Sequence, residues 1–296
     1  MKRLILLTAV LAMPFLIASC SDDETSDKGT LKLSITDAPL DTDGITAVNI
    51  AVNEVQYHIK DNEWKTFEGF EPDTFNLLDL TNGTSELLGR FELGAGTYSQ
   101  LRFILNAPEK GQSTPSNPGC YLEFEDGSTQ ALFVPSGSKS GFKGTGAFTV
   151  PINGEVSVTA DFDARKSVVK AGNSGMYILK PTIRLIVDNQ AGSIKGIVSS
   201  IPEGSNVIIY AYANDTYTEE EAAEPEEEAV RFPNAVTSSV AGETAEYTLS
   251  YLAPGTYDLV VVETVEGEFN QVLGTVENVE VESLKESISD INTDEL

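Results

Sequence analysis

Apolar residues at every second position run through most of this chain, and that period limits the fold class before any other feature is considered. Leu31, Leu33 and Ile35 alternate with polar neighbours, as do Val48, Ile50 and Val52. A repeat of two puts such side chains on one face of a strand. The alternation then slips by one residue to Val55 and Tyr57, which predicts a bulge near Asn53-Glu54. Further sets pass through Leu101, Phe103 and Leu105, through Val156, Val158 and Ala160, and along Tyr177 to Val187. Asp126-Gly127 divides two alternating runs and predicts a hairpin, because glycine accepts the positive φ of a tight turn. Only residues 77–88 leave room for a short helix. The expectation is an all-β chain of antiparallel β-sandwiches.

Asp188-Asn189-Gln190-Ala191-Gly192 reads as a linker between two such units, 30–188 and 192–296. One short motif occurs in both. Leu93-Gly94-Ala95-Gly96-Thr97-Tyr98 precedes Leu101-Arg102-Phe103, and Leu252-Ala253-Pro254-Gly255-Thr256-Tyr257 precedes Leu259-Val260-Val261. The glycine permits a tight turn, and the tyrosine can close a sandwich corner with its ring packed and its hydroxyl bonded. This pattern resembles one found in transthyretin-like and carboxypeptidase-regulatory-like sandwiches, so both units are expected to be Ig or transthyretin-like. The run Glu219 to Glu228 is an acidic low-complexity insert, read as a mobile loop because like charges repel.

The net charge is -27. From Gly192 onward there are three lysines or arginines against twenty-two acidic residues. Nucleic-acid binding needs clustered cations to neutralise phosphate, so it is excluded as a function class. Cysteine occurs only at Cys20 and Cys120. Cys120 opens an alternating stretch and reads as a small buried packing residue.

Lys2 and Arg3 precede a mostly apolar run from Leu4 to Ile17, which ends in Ile17-Ala18-Ser19-Cys20. A charged start, an apolar centre and small residues before a cysteine resemble the signal and lipobox of bacterial lipoproteins. The resemblance implies that residues 1–19 are a signal peptide, that Cys20 carries the lipid, and that residues 20–29 form a tether. Each buried methylene of such a lipid contributes ~0.8 kcal/mol of anchoring. Ser21-Asp22-Asp23-Glu24 resembles an acidic export signal for display on the outer face of the outer membrane. The alternative is a solvated tether only.

A second resemblance lies at both ends of the first unit. Leu33-Ser34-Ile35-Thr36-Asp37-Ala38-Pro39 opens it, followed by Val48-Asn49-Ile50, Tyr57-His58 and Trp64. Asp161-Phe162-Asp163-Ala164-Arg165-Lys166-Ser167-Val168-Val169 and Tyr177-Ile178-Leu179-Lys180-Pro181 close it. Together they resemble the domain of unknown function 4382 family, which carries no established activity. The second unit resembles carboxypeptidase-regulatory-like or carbohydrate-binding-like sandwiches, chiefly through its turn motif.

Candidate chemistry is sparse. Asp161 and Asp163 are two apart in a predicted strand, and Asp37, Asp41 and Asp43 sit in or after a turn. If the two regions met, their oxygens would suit a hard cation. The reading adopted is that Asp37 bonds its own turn while Asp161 and Asp163 pair with Arg165 or Lys166 in solvent. Tyr57, His58 and Trp64 form a mixed aromatic cluster that would need exposed rings to bind sugar; Tyr57 and Trp64 read as packing instead, and Tyr210, Tyr212 and Tyr217 near the insert are the alternative platform. One histidine, His58, does not make an ordinary zinc site, and the usual nucleophile, metalloprotease and phosphate-loop motifs are lacking. The sequence therefore points to a non-enzymatic, surface-facing outer-membrane lipoprotein, without catalytic residues, metal or cofactor. It would act as a binding or accessory module for a glycan or protein partner. A structural pilin-like or stalk subunit is the second reading, and an uncharacterised hydrolase the third.

Overall fold

A computed structural model of the chain describes residues 27–38, 44–58, 63–107, 119–134, 141–171, 175–226, 229–241 and 244–296. The signal segment, Cys20, the Ser21 to Glu24 cluster, Asp41 and Asp43 lie outside these residues.

Strand Lys28–Thr36 shows how the alternating residues are used. It runs antiparallel to Glu86–Gly94 on one side and parallel to Glu155–Phe162 on the other. In the parallel register Leu31, Leu33 and Ile35 stand opposite Val156, Val158 and Ala160. All six are buried in one core, so two runs 125 residues apart in sequence build one apolar layer. Glu155–Phe162 then pairs antiparallel with Ile183–Val187, which pairs in parallel with Phe142–Val150. That strand joins Gly96–Leu105 and through it the long strand Ile45–His58. Trp64–Thr66, Asp73–Asn76 and Tyr121–Phe124 also pair with Ile45–His58. Among the described residues thirteen strands are linked in this way around a single apolar cluster.

The second unit is a sandwich of two four-stranded sheets. Gly192–Ser199 pairs antiparallel with Glu246–Leu252 and parallel with Glu286–Ile288 and Ile291–Asn292. The facing sheet is fully antiparallel, in the order Thr237–Val240, Ser205–Ala213, Gly255–Val265, Glu268–Val281. Val207, Ile209 and Ala211 fill the core between the sheets. Ile208, Tyr210 and Tyr212 face the other way, into a second small core with Phe232, Ala235 and Val260.

The all-β architecture is the expected one, and several local expectations have direct counterparts. Register shifts between Val52 and Glu54, where a bulge was expected. The Asp126-Gly127 hairpin joins Tyr121–Phe124 to Thr129–Phe133, with Gly127 at φ 78. Leu77–Leu80 forms the one turn of helix allowed for. The sheets are not purely antiparallel: Lys28–Thr36 runs parallel to Glu155–Phe162 and Ile183–Val187 to Phe142–Val150, pairs joined by long crossovers and not by hairpin turns. The insert also departs from its expected mobility in its described part. Glu219–Ala222 is a 3-10 turn, and the Glu221 carboxylate accepts from Tyr212 Oη at 2.9 Å and from Asn234 N at 3.1 Å. Two well-placed donors outweigh the repulsion of exposed neighbouring carboxylates.

Residues 188–192 are not a free linker. Asp188–Gln190 is a 3-10 turn, and Asp188 Oδ1 accepts from Thr159 Oγ1 at 2.7 Å. The next strand starts at Gly192, where a Cβ would come within 2.2 Å of the Glu282 carbonyl oxygen. Only glycine fits that approach.

Candidate functional site

Where the two units meet, short chain segments deliver a cluster of charges. Thr36 ends its strand opposite Asp161 in register, which brings the next residue, Asp37, to the same place. The antiparallel register on the other side sets Asp161 opposite Arg184, whose Nε donates to Asp161 Oδ2 at 2.6 Å. The chain leaves the strand at Phe162, so Asp163 does not share a strand face with Asp161 as expected. It caps the single-turn helix Ala164–Ser167, accepting from Lys166 N at 3.3 Å. Asp37 Oδ1 accepts from the first helical N–H, Ala164 N, at 2.7 Å.

The helix carries Arg165 and Lys166. Arg165 holds Asp163 through Nη2 at 2.9 Å, with both side chains only about 5–6% exposed. It also donates to the carbonyl oxygens of Phe232 at 3.1 Å and Ala235 at 3.2 Å in the second unit. Lys166 Nζ donates to the same Ala235 oxygen at 2.7 Å. Arg184 Nη1 reaches Tyr251 O at 3.1 Å, and Ser239 Oγ donates to Asn82 Oδ1 at 2.8 Å. The Asp37, Asp161, Asp163 group is thus buried at a junction, not paired in solvent. Carboxylates with such partners can be buried because each ion pair is completed by further hydrogen bonds. Burial pushes the Asp37 carboxyl well up, and pushes Asp161 up against the pull of Arg184.

Beside this junction lies a cleft of about 220 Å³, open to solvent. Arg165, Tyr210, Arg231, Phe232, Glu268 and Phe269 line it. The Arg231 guanidinium lies 4.5 Å from the Phe269 ring centre, and that of Arg165 lies 5.3 Å from the Tyr210 ring centre. Arg231 also donates to the Ala222 carbonyl oxygen at 3.3 Å and pairs with Glu224.

The remaining candidates fall elsewhere. Tyr210 and Tyr212 are buried, so they form no exposed platform. Tyr57 packs against Phe67 with ring centres 5.1 Å apart. His58 meets Trp64 edge-on at 5.2 Å, and Arg102 lies 3.8 Å over the same indole. Cys120 is fully buried, and its sulfur accepts from Ala51 N at 3.4 Å. Burial pushes its thiol up to about 12. Among the described residues no group of three or more His, Cys, Asp or Glu is placed to hold a metal ion. Nothing in the sequence reading pointed to Arg231, Phe269 or Arg184, although Arg231 is the only arginine after Gly192 and follows the acidic insert by three residues.

Residues 28–181 match the family model described as "Domain of unknown function (DUF4382)". The chain belongs to this family. The match holds Asp37, Asp161, Asp163, Arg165 and Lys166 of the junction, while Arg184 and the cleft residues from Tyr210 onward lie outside it. No curated protein is significantly similar to the chain. Among solved structures, the Bacillus anthracis TIE protein is 13% identical over 89% of this chain, with a TM-score of 0.21, and the chain spans only 33% of it. A minor pilin of Streptococcus agalactiae is 12% identical over 88% of this chain and 94% of its own, with a TM-score of 0.23. The shaft pilin SpaA from Lactobacillus rhamnosus GG is 11% identical over 89% and 98%, with a TM-score of 0.20. Scores of this size assign neither fold nor role to this chain.

Proposed function

We propose that the protein is a non-enzymatic binding module, lipid-anchored through Cys20 on the outer membrane and facing the exterior, and that the cleft beside Arg165 and Arg231 receives a glycan. The cleft carries this reading. It combines apolar ring faces with guanidinium groups in a concave space, and small-molecule sites pair those features. Its volume is below the ~300 Å³ at which drug-sized pockets begin, which suits one or two sugar rings. Phe269, which is only partly buried, offers a face for the C–H side of a ring, and Arg231 offers donors for hydroxyl or carboxylate oxygens. The buried carboxylates next to it are taken up by Ala164 N, Arg184, Arg165 and Lys166, the last three of which reach the second unit, and this favours binding over hydrolysis.

The test is calorimetric titration of the full chain with neutral and acidic oligosaccharides. Binding should weaken about tenfold in Arg231→Lys, which keeps the charge but not the planar fork, and further in Phe269→Ala. Wild type and variants that bind every sugar equally poorly would overturn the glycan reading and leave a protein partner. The anchor has its own test. Membrane-extracted protein should carry acyl chains on Cys20, and Cys20→Ala should remain an unlipidated precursor.

A further inference from the structure

Two carboxylates at the junction each leave one oxygen without a hydrogen-bond partner. Asp37 Oδ2 and Asp161 Oδ1 are both fully buried, and both residues line one small cavity between the units. Its volume is about 10 Å³, room for no more than a single water. The first unit also supplies Thr36 and Asn82 to its wall, and the second unit supplies Ser238, Ser250 and Tyr251.

Two buried, unpartnered acceptors on residues that line one cavity are costly unless a donor reaches them. A bound cation would be one answer, but positive charge is already in place. Asp161 is paired with Arg184, and Asp163 with Arg165 and Lys166. Three acids and three bases make the cluster neutral when all are ionised, so a divalent ion would leave two uncompensated charges buried. A proton meets the need at lower cost, because a protonated carboxyl becomes a donor.

We propose that Asp37 and Asp161 share one proton across this cavity, directly or through one water, and that this proton closes the junction between the two units. Asp37 is the residue that carries it. Its other oxygen accepts only a backbone N–H, from Ala164, whereas Asp161 faces the Arg184 guanidinium and stays ionised. The charged groups that act on Asp37 are Asp161, Asp163 and Arg165, all from the first unit. The second unit adds only neutral hydroxyls and the Tyr251 phenol. The carboxyl of Asp37 is raised chiefly by burial, with Asp161 and Asp163 adding to the effect. A raised acid gives stability that is fully present below its ordinary range and is lost as pH rises through the folded value. The junction should therefore loosen on the alkaline side, where the proton leaves.

The experiment follows the melting temperature of the full chain between about pH 5 and about pH 8, the span over which ordinary carboxylates stay ionised. Wild type should fall by about 2–4 °C for each kcal/mol lost as the proton leaves. Asp37→Asn, whose amide donates at every pH, should remove that slope. Infrared difference spectra supply a second measurement on wild type alone. A protonated carboxyl band should persist above the usual carboxylate range and be absent from Asp37→Asn. Parallel pH profiles for the two proteins, or a wild-type spectrum without that band at about pH 6, would overturn the proposal. So would stabilisation by calcium that disappears in Asp37→Asn, which would make the occupant a cation.

Discussion

The Arg165 guanidinium donates through Nη1 to the carbonyl oxygen of Phe232 at 3.1 Å, so a helix of the first unit holds a backbone group of the second. The same side chain holds Asp163 and Ala235 O. Removing it leaves a buried carboxylate with only Lys166 as counter-charge and leaves Phe232 O without this donor.

Arg165→Met should accordingly destabilise the protein by about 3–5 kcal/mol, the cost of breaking a buried pair from one side. The measurement can also show whether the units unfold together. Trp64 is the only tryptophan and lies in the first unit, so its fluorescence reports that unit alone. In wild type, fluorescence and far-ultraviolet dichroism should lose structure at the same urea concentration. In Arg165→Met the two transitions should separate. Coincident transitions in the variant would mean that the junction holds by other contacts.

Gly83 is a close steric contact of the same junction. It has φ +85, and a Cβ there would lie 2.5 Å from Ser250 Oγ in the second unit. Gly83→Ala meets both problems, backbone strain and a clash, and should cost about 1–3 kcal/mol. Adding Ser250→Gly removes the clash but not the strain. The double variant should recover part of the loss in urea unfolding, a coupling expected only of residues in contact.

How much of this was legible in the sequence depends on the range of the interaction. The bulge at Asn53-Glu54 and the Asp126-Gly127 turn are local, and the local pattern carries them. The pairing of Leu31 with Val156 is not local, and no property of either run names the other. The junction was hidden for a different reason. Arg165 and Lys166 bond carbonyl oxygens at Phe232 and Ala235, and a backbone acceptor leaves no mark on residue type. One missed signal was available. Val207 to Tyr212 is apolar at every position, the mark of a strand buried on both faces. Tyr210 and Tyr212 belong to the second core for that reason, and the insert after them is its lid.

Cys120 should be inert towards a bulky maleimide in the native state, at neutral and at mildly alkaline pH. Its thiol lies in the core beside the Ala51 backbone and is held up to about 12 by burial. Only the thiolate reacts, and here it forms far above the ordinary thiol range. A raised acid keeps its contribution to stability below that ordinary range and loses it as pH climbs towards the folded value. Cys120→Ala should cost roughly 1 kcal/mol. Rapid labelling without denaturant, followed by mass spectrometry, would place the thiol at the surface instead.

The two copies of the turn motif allow one chemical change to be tested in two settings of one protein. Tyr98 Oη donates to Gly94 O at 2.8 Å, and Tyr257 Oη donates to Ala253 O at 2.8 Å, in both cases the carbonyl four residues earlier. The glycines between, Gly96 at φ 151 and Gly255 at φ 159, turn the chain so that donor and acceptor meet. Tyrosine-to-phenylalanine keeps the ring and removes only that bond, worth about 1 kcal/mol on average. The two sites should not lose equally. Tyr257 is 6% exposed and packs in the second core, so water has less room to enter in place of the lost hydroxyl. Tyr98 is only partly buried, against Phe148, and water can replace the lost donor. Tyr257→Phe should therefore lower the urea midpoint more than Tyr98→Phe. The two losses should add in the double variant, because the residues belong to separate cores. Burial also raises both phenols. Their contribution should hold at neutral pH and be lost as pH rises beyond the ordinary phenol range, a loss absent from the double phenylalanine variant.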